Sequence, residues 1–547
     1  MLNKKNKIEE YFSEETNKYR FLALVLFTII ITAFAWQSDD AYHAYAMSKN
    51  LVEGNGFVYN VGERSNSSSC PLFTLIVALG YLVFRNMFLV SLLICIIFSA
   101  SAFSILVHDF CKNKKQIIAV FLMSIASVSF MSYTTAGLEN CLLFFLAALF
   151  LKKYLNTQTY NAKELFYMAI LISLIAMTRM DAVLMFVPMV VYLYLAKRNR
   201  VSFIKCCFIA VAGLMPFIIW ELFSLFYFGF FVPNTAFVKL GTDIPKMQYI
   251  KRGIQYLCIT FLCDPLVILV PVLIILIAVF LKKAKYIFAA AGIALYFVYV
   301  IYIGGDFMLG RHFTVMFFMG LIIYMHMHNN ALSDTMRQKN RYLMKLMEIG
   351  CVSGLLFTFV ISPISNQFLY GNNFNSPISD ERAGYFKWTS LFNNAVSYIT
   401  TGDMCIRDAW NEDGLNNYRS MNIKSVVDAN IPGIMKYYND DMYLNDFYAL
   451  GDPFLSKLPA VIEPNWRIGH MHREAPKGYQ DTIFYDLENE IENKSIAEYY
   501  DVIRLITRGN LFDKNRLQAI IDINLGKYDY LVDEYKATLN DFNMQEE

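Results

Sequence analysis

Apolar runs of near-span length, separated by short basic clusters, are the feature that most constrains how this chain folds. Phe21 to Trp36, Ile117 to Phe130 and Pro265 to Leu281 carry few or no charges and approach the roughly 20 residues that cross about 30 Å of hydrocarbon. With 56% hydrophobic and only 17% charged residues among 547, the chain is too apolar for a water-soluble enzyme of this size, and the bilayer is its natural solvent. The net charge of +2 gives no basic footprint for nucleic acid. The ten cysteines form no CxxC pair, so neither a disulfide framework nor a zinc site is expected.

The basic clusters are Lys4-Lys5-Lys7, Lys112-Lys114-Lys115, Lys152-Lys153, Lys197-Arg198-Arg200, Lys282-Lys283-Lys285 and Arg337-Lys339-Arg341-Lys345. The positive-inside rule makes these the cytoplasmic ends and yields about eleven spans, provided Pro71 to Phe84 lies along the membrane surface. The expected spans are Arg20 to Trp36, Met87 to His108, Ile117 to Tyr133, Leu138 to Leu151, Leu165 to Met177, Ala182 to Leu195, Phe203 to Phe226, Tyr256 to Leu281, Ile287 to Ile303, Phe313 to His326 and Leu346 to Ile361. Residues 1–19 mix Lys with Glu and lack a small-residue cleavage site, and so are expected as a cytoplasmic leader into a retained first helix. Residues 20–361 then form a polytopic α-helical bundle whose first external loop is 37–86. From about residue 362 the sequence turns polar, with turn chemistry at Ile431-Pro-Gly and a helical stretch from Asp486 to Arg508. Residues 362–547 are thus expected as a mixed α/β domain, and odd span parity puts it outside the cytoplasm.

This topology, built from basic residues alone, sorts the unusual polar groups onto one external face. They are Asp39-Asp40, Glu139 within Gly137-Leu-Glu139-Asn140, Arg179 and Asp181, Asn234 and Lys239, and Asp306, Arg311 and His312. Carboxylates and cations are costly at a membrane edge unless they pair or act, so their convergence reads as a site. A carboxylate at Asp39 or Asp40 can deprotonate a hydroxyl nucleophile. The plainer alternative, a polar end to the first helix, carries even weight. Arg179, Lys239, Arg311 and His312 suit an anionic leaving group, against headgroup snorkelling or simple pairing with Asp181 and Asp306. Trp466, Arg467 and His470 suit sugar stacking no better than an ordinary domain core.

The stretch Ser38-Asp-Asp-Ala-Tyr42, followed by Ala46-Met-Ser-Lys-Asn50 and Gly54-Asn-Gly56-Phe-Val-Tyr-Asn60-Val-Gly-Glu63-Arg64, resembles the first external loop of GT-C fold glycosyltransferases. More narrowly, it is similar to the bacterial branch that includes the terminal β-arabinofuranosyltransferase of mycobacterial cell walls. Gly137-Leu-Glu139, Thr178-Arg179-Met-Asp181, Pro233-Asn234-Thr-Ala-Phe-Val-Lys239 and Gly304-Gly-Asp306-Phe-Met-Leu-Gly-Arg311 follow that branch in order, as do Tyr448-Ala-Leu-Gly-Asp452-Pro and Trp466-Arg467-Ile-Gly-His470 in the tail. Two departures are Met180-Asp181-Ala182, where Pro-Asp-Gly is usual after the Arg, and Leu309, where a Pro is usual. They leave the choice of sugar open.

The resemblance implies a multi-pass enzyme of the bacterial inner membrane. Its donor is a polyprenyl-phosphate sugar, a pentofuranose such as arabinofuranose by analogy. Its acceptor is an external glycan, lipid-linked saccharide or secreted protein. Asp39 and Asp40 are the expected catalytic residues, with Arg179, Lys239, Arg311 and His312 on the donor phosphate and Tyr42, Glu139, Asp181, Asn234 and Asp306 in support. No metal ligands are assigned, although a divalent cation between acids and phosphate is compatible with the chemistry. A hexosyltransferase, or a transporter or flippase of lipid-linked saccharide, is the alternative.

Overall fold

The computed structural model describes residues 14–195, 201–331, 352, 354, 376–410, 412–421, 423, 425–428, 431–446, 448–462, 466–484 and 488–543. The expected span Leu346 to Ile361 falls outside the described residues except at 352 and 354, and most of the N-terminal leader also falls outside them. The protein is largely helical. In chain order the membrane-rich part contains α1 (Glu15–Ala33), α2 (Asp39–Glu53), α3 (Pro71–Phe84), α4 (Met87–Ile105) with a π-turn at Leu106–Phe110, α5 (Lys114–Ala126), α6 (Val128–Tyr133), α7 (Asn140–Asn156) and α8 (Ala162–Thr178). A 3-10 turn at Met180–Met185 leads to α9 (Val187–Leu195), α10 (Phe203–Phe228), α11 (Asn234–Leu240), α12 (Lys246–Cys263), α13 (Leu266–Leu281), α14 (Ala284–Tyr302) and α15 (Phe313–Ala331). The tail contains α16 (Glu381–Thr389), α17 (Leu391–Thr401), α18 (Glu412–Ser420), β1 (Ser425–Asp428), α19 (Pro432–Tyr438), β2 (Tyr443–Asp446), α20 (Tyr479–Phe484), α21 (Lys494–Arg508), α22 (Lys514–Asn524) and α23 (Asp529–Asn543).

Among the described residues four helical segments are long and apolar enough to cross a membrane: α1, Met87–Phe110, α10 and α14. The pair α12 and α13 makes a fifth if taken together, but it bends by 107° at its break. The expected single span from Tyr256 to Leu281 is therefore corrected to a broken pair. The cause is local, because Pro265 lacks an N–H and its ring excludes a continuing helix. Likewise Ile117 to Tyr133 breaks at Ser127, whose hydroxyl accepts from the Phe130 backbone N–H at 3.2 Å and restarts the helix as α6. Ala182 to Leu195 is a 3-10 turn followed by the short α9. Pro71 to Phe84 is a helix with those same bounds, Pro71 standing at its first turn.

The chain divides into two compact units: Met1–Ser38, Ser91–Pro216 and Lys246–Met404 form one, and Asp39–Val90, Phe217–Pro245 and Cys405–Glu547 form the other. In the first unit Asn161 and Glu164 make a reciprocal capping box at the start of α8. In the second unit residues 39–90, which include most of the loop expected at 37–86, cluster with the polar tail.

The expected α/β tail is mainly helical, with β1 and β2 paired in parallel, Ser425 opposite Tyr443 through Asp428 opposite Asp446. Its core is set by α21, which buries Ile496, Tyr499, Tyr500, Ile503 and Ile506 at helical spacing. These pack with Phe230, Val238, Phe454, Tyr479 and Ile520, each such burial being worth roughly 1.5–3 kcal/mol. Arg516, fully buried on α22, donates to the carbonyls of Phe226 and Tyr227 at 2.8 and 2.9 Å and so satisfies the C-terminal end of α10.

Candidate functional site

Within the first unit, six of the residues singled out from the sequence form one buried ionic cluster. Glu139 precedes α7, Arg179 ends α8, Asp181 opens the 3-10 turn, and Asp306, Arg311 and His312 lie in the loop between α14 and α15. The glycines of that loop bring its charges together. Gly305 and Gly310 have φ of +79° and +69°, and a Cβ on Gly305 would lie 2.5 Å from the Tyr256 side chain.

Glu139 is the hub. Its Oε1 accepts from Arg179 Nη1 at 3.1 Å and from Arg311 Nη2 at 2.9 Å, and its Oε2 lies 3.2 Å from the same Arg311 nitrogen. Arg179 also forks onto Asp181, Nε to Oδ1 at 2.8 Å and Nη2 to Oδ2 at 3.3 Å. Tyr296 donates to Asp181 Oδ2 at 3.0 Å and lies 2.9 Å from His312 Nδ1, while Asp306 Oδ2 is 3.5 Å from His312 Nε2 and 3.9 Å from Arg311 Nη1.

Burial drives His312 down to about 3, with Arg179 adding to the effect against Asp306 and Asp181. The ring is therefore neutral near pH 7. Burial alone would raise Asp181, but Arg179 and His312 outweigh it and hold the carboxyl below its ordinary range. Burial would lower Arg179, yet Asp181, Tyr296 and Glu139 hold it well above the usual value. Three carboxylates thus face two guanidiniums and a neutral imidazole, so both arginines are neutralised within the protein. Such a cluster can order a polar turn at a bundle mouth, and it can take an anion only by sharing these donors.

The second unit holds the acidic pair. Asp39 and Asp40 are the first two residues of α2. Asp39 is 4% exposed, and both its oxygens accept main-chain donors at the head of α19: Oδ1 from Ile434 N–H at 2.8 Å and Oδ2 from Gly433 N–H at 3.2 Å. Both oxygens are thus held by main-chain donors of the first turn of α19. Asp40, one position on, is partly exposed. Tyr42 is buried among Tyr45, Tyr437 and Tyr438, with ring centroids 5.0–6.1 Å apart. Asn234 is buried, and its side chain donates to Ser65 Oγ at 2.8 Å and Leu450 O at 3.3 Å. Lys239 is partly buried, its aliphatic stem lying against Gly469.

Three features escaped the sequence reading. His43, one turn along α2 from Asp39, is buried and stacked on Tyr59 at 4.9 Å, and neither ring nitrogen has a hydrogen-bond partner among the described residues. Burial pushes it down to about 4. Glu63 accepts from the Tyr443 hydroxyl at 2.8 Å and pairs with Arg508 at 3.1 Å, tying the segment after α2 to the tail. Asp264, fully buried at the break between α12 and α13, accepts from Ser127 Oγ at 2.7 Å and Ser129 N–H at 2.8 Å, so two helix breaks meet on one carboxylate. Only the last had a local signal, the Asp264-Pro265 pair inside an apolar run.

Among the described residues no group of three or more His, Cys, Asp or Glu is arranged to hold a metal ion. No protein-family model, no curated protein and no solved structure matches this chain.

Proposed function

We propose that this protein is a membrane glycosyltransferase moving a sugar, a pentofuranose such as arabinofuranose, from a polyprenyl-phosphate donor to a hydroxyl of an external glycan, lipid-linked saccharide or secreted protein. The observation that carries the reading is the different burial of two adjacent acids at the head of α2, directly after the first candidate span. Asp39 is held by two backbone N–H groups, whereas Asp40 is partly exposed. The ordered resemblance to the GT-C arabinofuranosyltransferase branch supports the same assignment.

In this reading Asp40 takes the proton of the acceptor hydroxyl as its oxygen bonds to the anomeric carbon. The bond from that carbon to the phosphate oxygen breaks, and its electron pair leaves on the polyprenyl phosphate. Lys239 is the donor-phosphate cation we favour, since it belongs to the same unit as Asp40. The chain crosses the inner membrane about eleven times, counting the shorter and broken helices as crossings, with the tail outside the cytoplasm.

The test is transfer of labelled sugar from a panel of synthetic polyprenyl-phosphate pentoses and hexoses by the purified full chain, with Asp40→Asn as control. Turnover with one donor, lost in the variant, supports the reading and names the sugar. One observation favours the transport alternative: broken helices meeting at buried Asp264 resemble the discontinuous helices of transporters. Absence of transfer, together with movement of lipid-linked saccharide across proteoliposomes, would establish that alternative instead.

A further inference from the structure

Helix α17 is well specified by its ends yet hardly packed. Ser390 caps it by accepting from Asn393 N–H at 3.3 Å, and Gly402 ends it with φ of +81°. Of its 11 residues only Asn394 is buried, donating to Trp388 O at 2.7 Å. A helix this short is marginal in water without a packed face.

The face opposite Asn394 is apolar. Phe392, Val396 and Ile399 recur at i, i+4 and i+7 and are 66%, 45% and 82% exposed. No described residue covers them. The helix starts where α1 ends: Leu391 N–H donates to Ala35 O at 2.9 Å. Arg382 of α16 lies 4.8 Å over the ring of Phe34. Phe34 is itself half exposed, as are Phe21, Leu22 and Ile29 along α1. The apolar surface of a candidate membrane span thus continues onto α17 within one unit. Lys387 and Trp388, 5.6 Å apart as a cation and ring, sit at the approach to the helix, as such residues do at membrane interfaces.

We propose that α17 is an interfacial helix, lying in the bilayer leaflet at which α1 ends, with Phe392, Val396 and Ile399 at the acyl boundary and Asn394 toward the protein. This seats the segment joining the bundle to the tail on the membrane surface, and it does not depend on the glycosyl-transfer reading. Because the stripe packs against nothing described, a probe placed there replaces no described contact.

The experiment replaces Phe392 by para-trifluoromethyl-phenylalanine in the full chain, reconstituted in nanodiscs of phosphatidylcholine and phosphatidylglycerol. Fluorine NMR line widths are compared with a nitroxide on the upper acyl chain and with a water-soluble gadolinium chelate. Several-fold greater broadening by the lipid nitroxide than by the chelate is expected. Broadening led by the chelate, equal broadening by the two, or protection from both would overturn the proposal, the last by showing that protein covers the stripe.

Discussion

Asp39 and Ile434, 395 positions apart in the chain, are joined by a 2.8 Å hydrogen bond from a backbone N–H to a buried carboxylate. The approach requires Gly433, because a Cβ there would lie 2.2 Å from the Asp39 carbonyl. Asp39→Asn places an amide where an acceptor is needed and should destabilise the second unit by about 1–3 kcal/mol. Asp40→Asn, at a partly exposed position, should cost less than about 1 kcal/mol while abolishing sugar transfer. Denaturation midpoints and turnover measured on both variants check the split. Equal stability losses would remove the distinction between a fixed acid and a reactive one.

Glu139 holds two guanidiniums, so Glu139→Gln removes the buried carboxylate that Arg179 and Arg311 share and should destabilise the first unit by about 3–5 kcal/mol. Adding Arg311→Met should recover part of that loss, giving a coupling well above zero in a double-mutant cycle. Additive losses would show that the two side chains act independently.

His43 should make the second unit acid-sensitive. Its folded value is about 4 against an ordinary 6.5, so between these pH values the unfolded chain binds a proton that the folded chain does not. Stability contributed by the neutral ring is therefore present above about pH 6.5 and lost as pH falls toward 4, by up to about 3 kcal/mol. His43→Phe keeps the stacking on Tyr59 without a titrating ring. Thermal denaturation from pH 7 to pH 4 should show a shallower decline for that variant than for the native protein, and parallel curves would exclude His43 as the cause.

Asp264 accepts donors at the Ser127 break of another helix, so Asp264→Ala should leave the Ser129 N–H without its acceptor and cost about 1–3 kcal/mol. Hydrogen exchange should then quicken at Ser129 and at the start of α13. Unchanged exchange at Ser129 would mean that the carboxylate does not hold the break.

Helix content and the membrane-length helices were legible in the chain because they depend on local quantities. The expected segments Arg20 to Trp36, Phe203 to Phe226 and Ile287 to Ile303 correspond within a few residues to α1, α10 and α14. The bend after α12 was misread as continuous because the apolar residues around Asp264 and Pro265 outweigh two breaking residues in any hydropathy average. Between α2 and α3, Glu63 could be named as part of a motif, but nothing nearby announces Arg508 as its partner.

The sequence by itself determined which segments are apolar enough to leave water, where polar turns must interrupt them, and which acids and bases stand at those turns, since transfer free energy accumulates residue by residue along the chain. Only the tertiary structure decided that Asp39 is bound by backbone donors, that Arg179 and Arg311 share Glu139, and that His43 is buried as a neutral ring. Those outcomes depend on partners distant in the chain, 40 and 172 positions from Glu139 and 395 from Asp39, and burial makes each hydrogen bond or charge count according to what it meets in space.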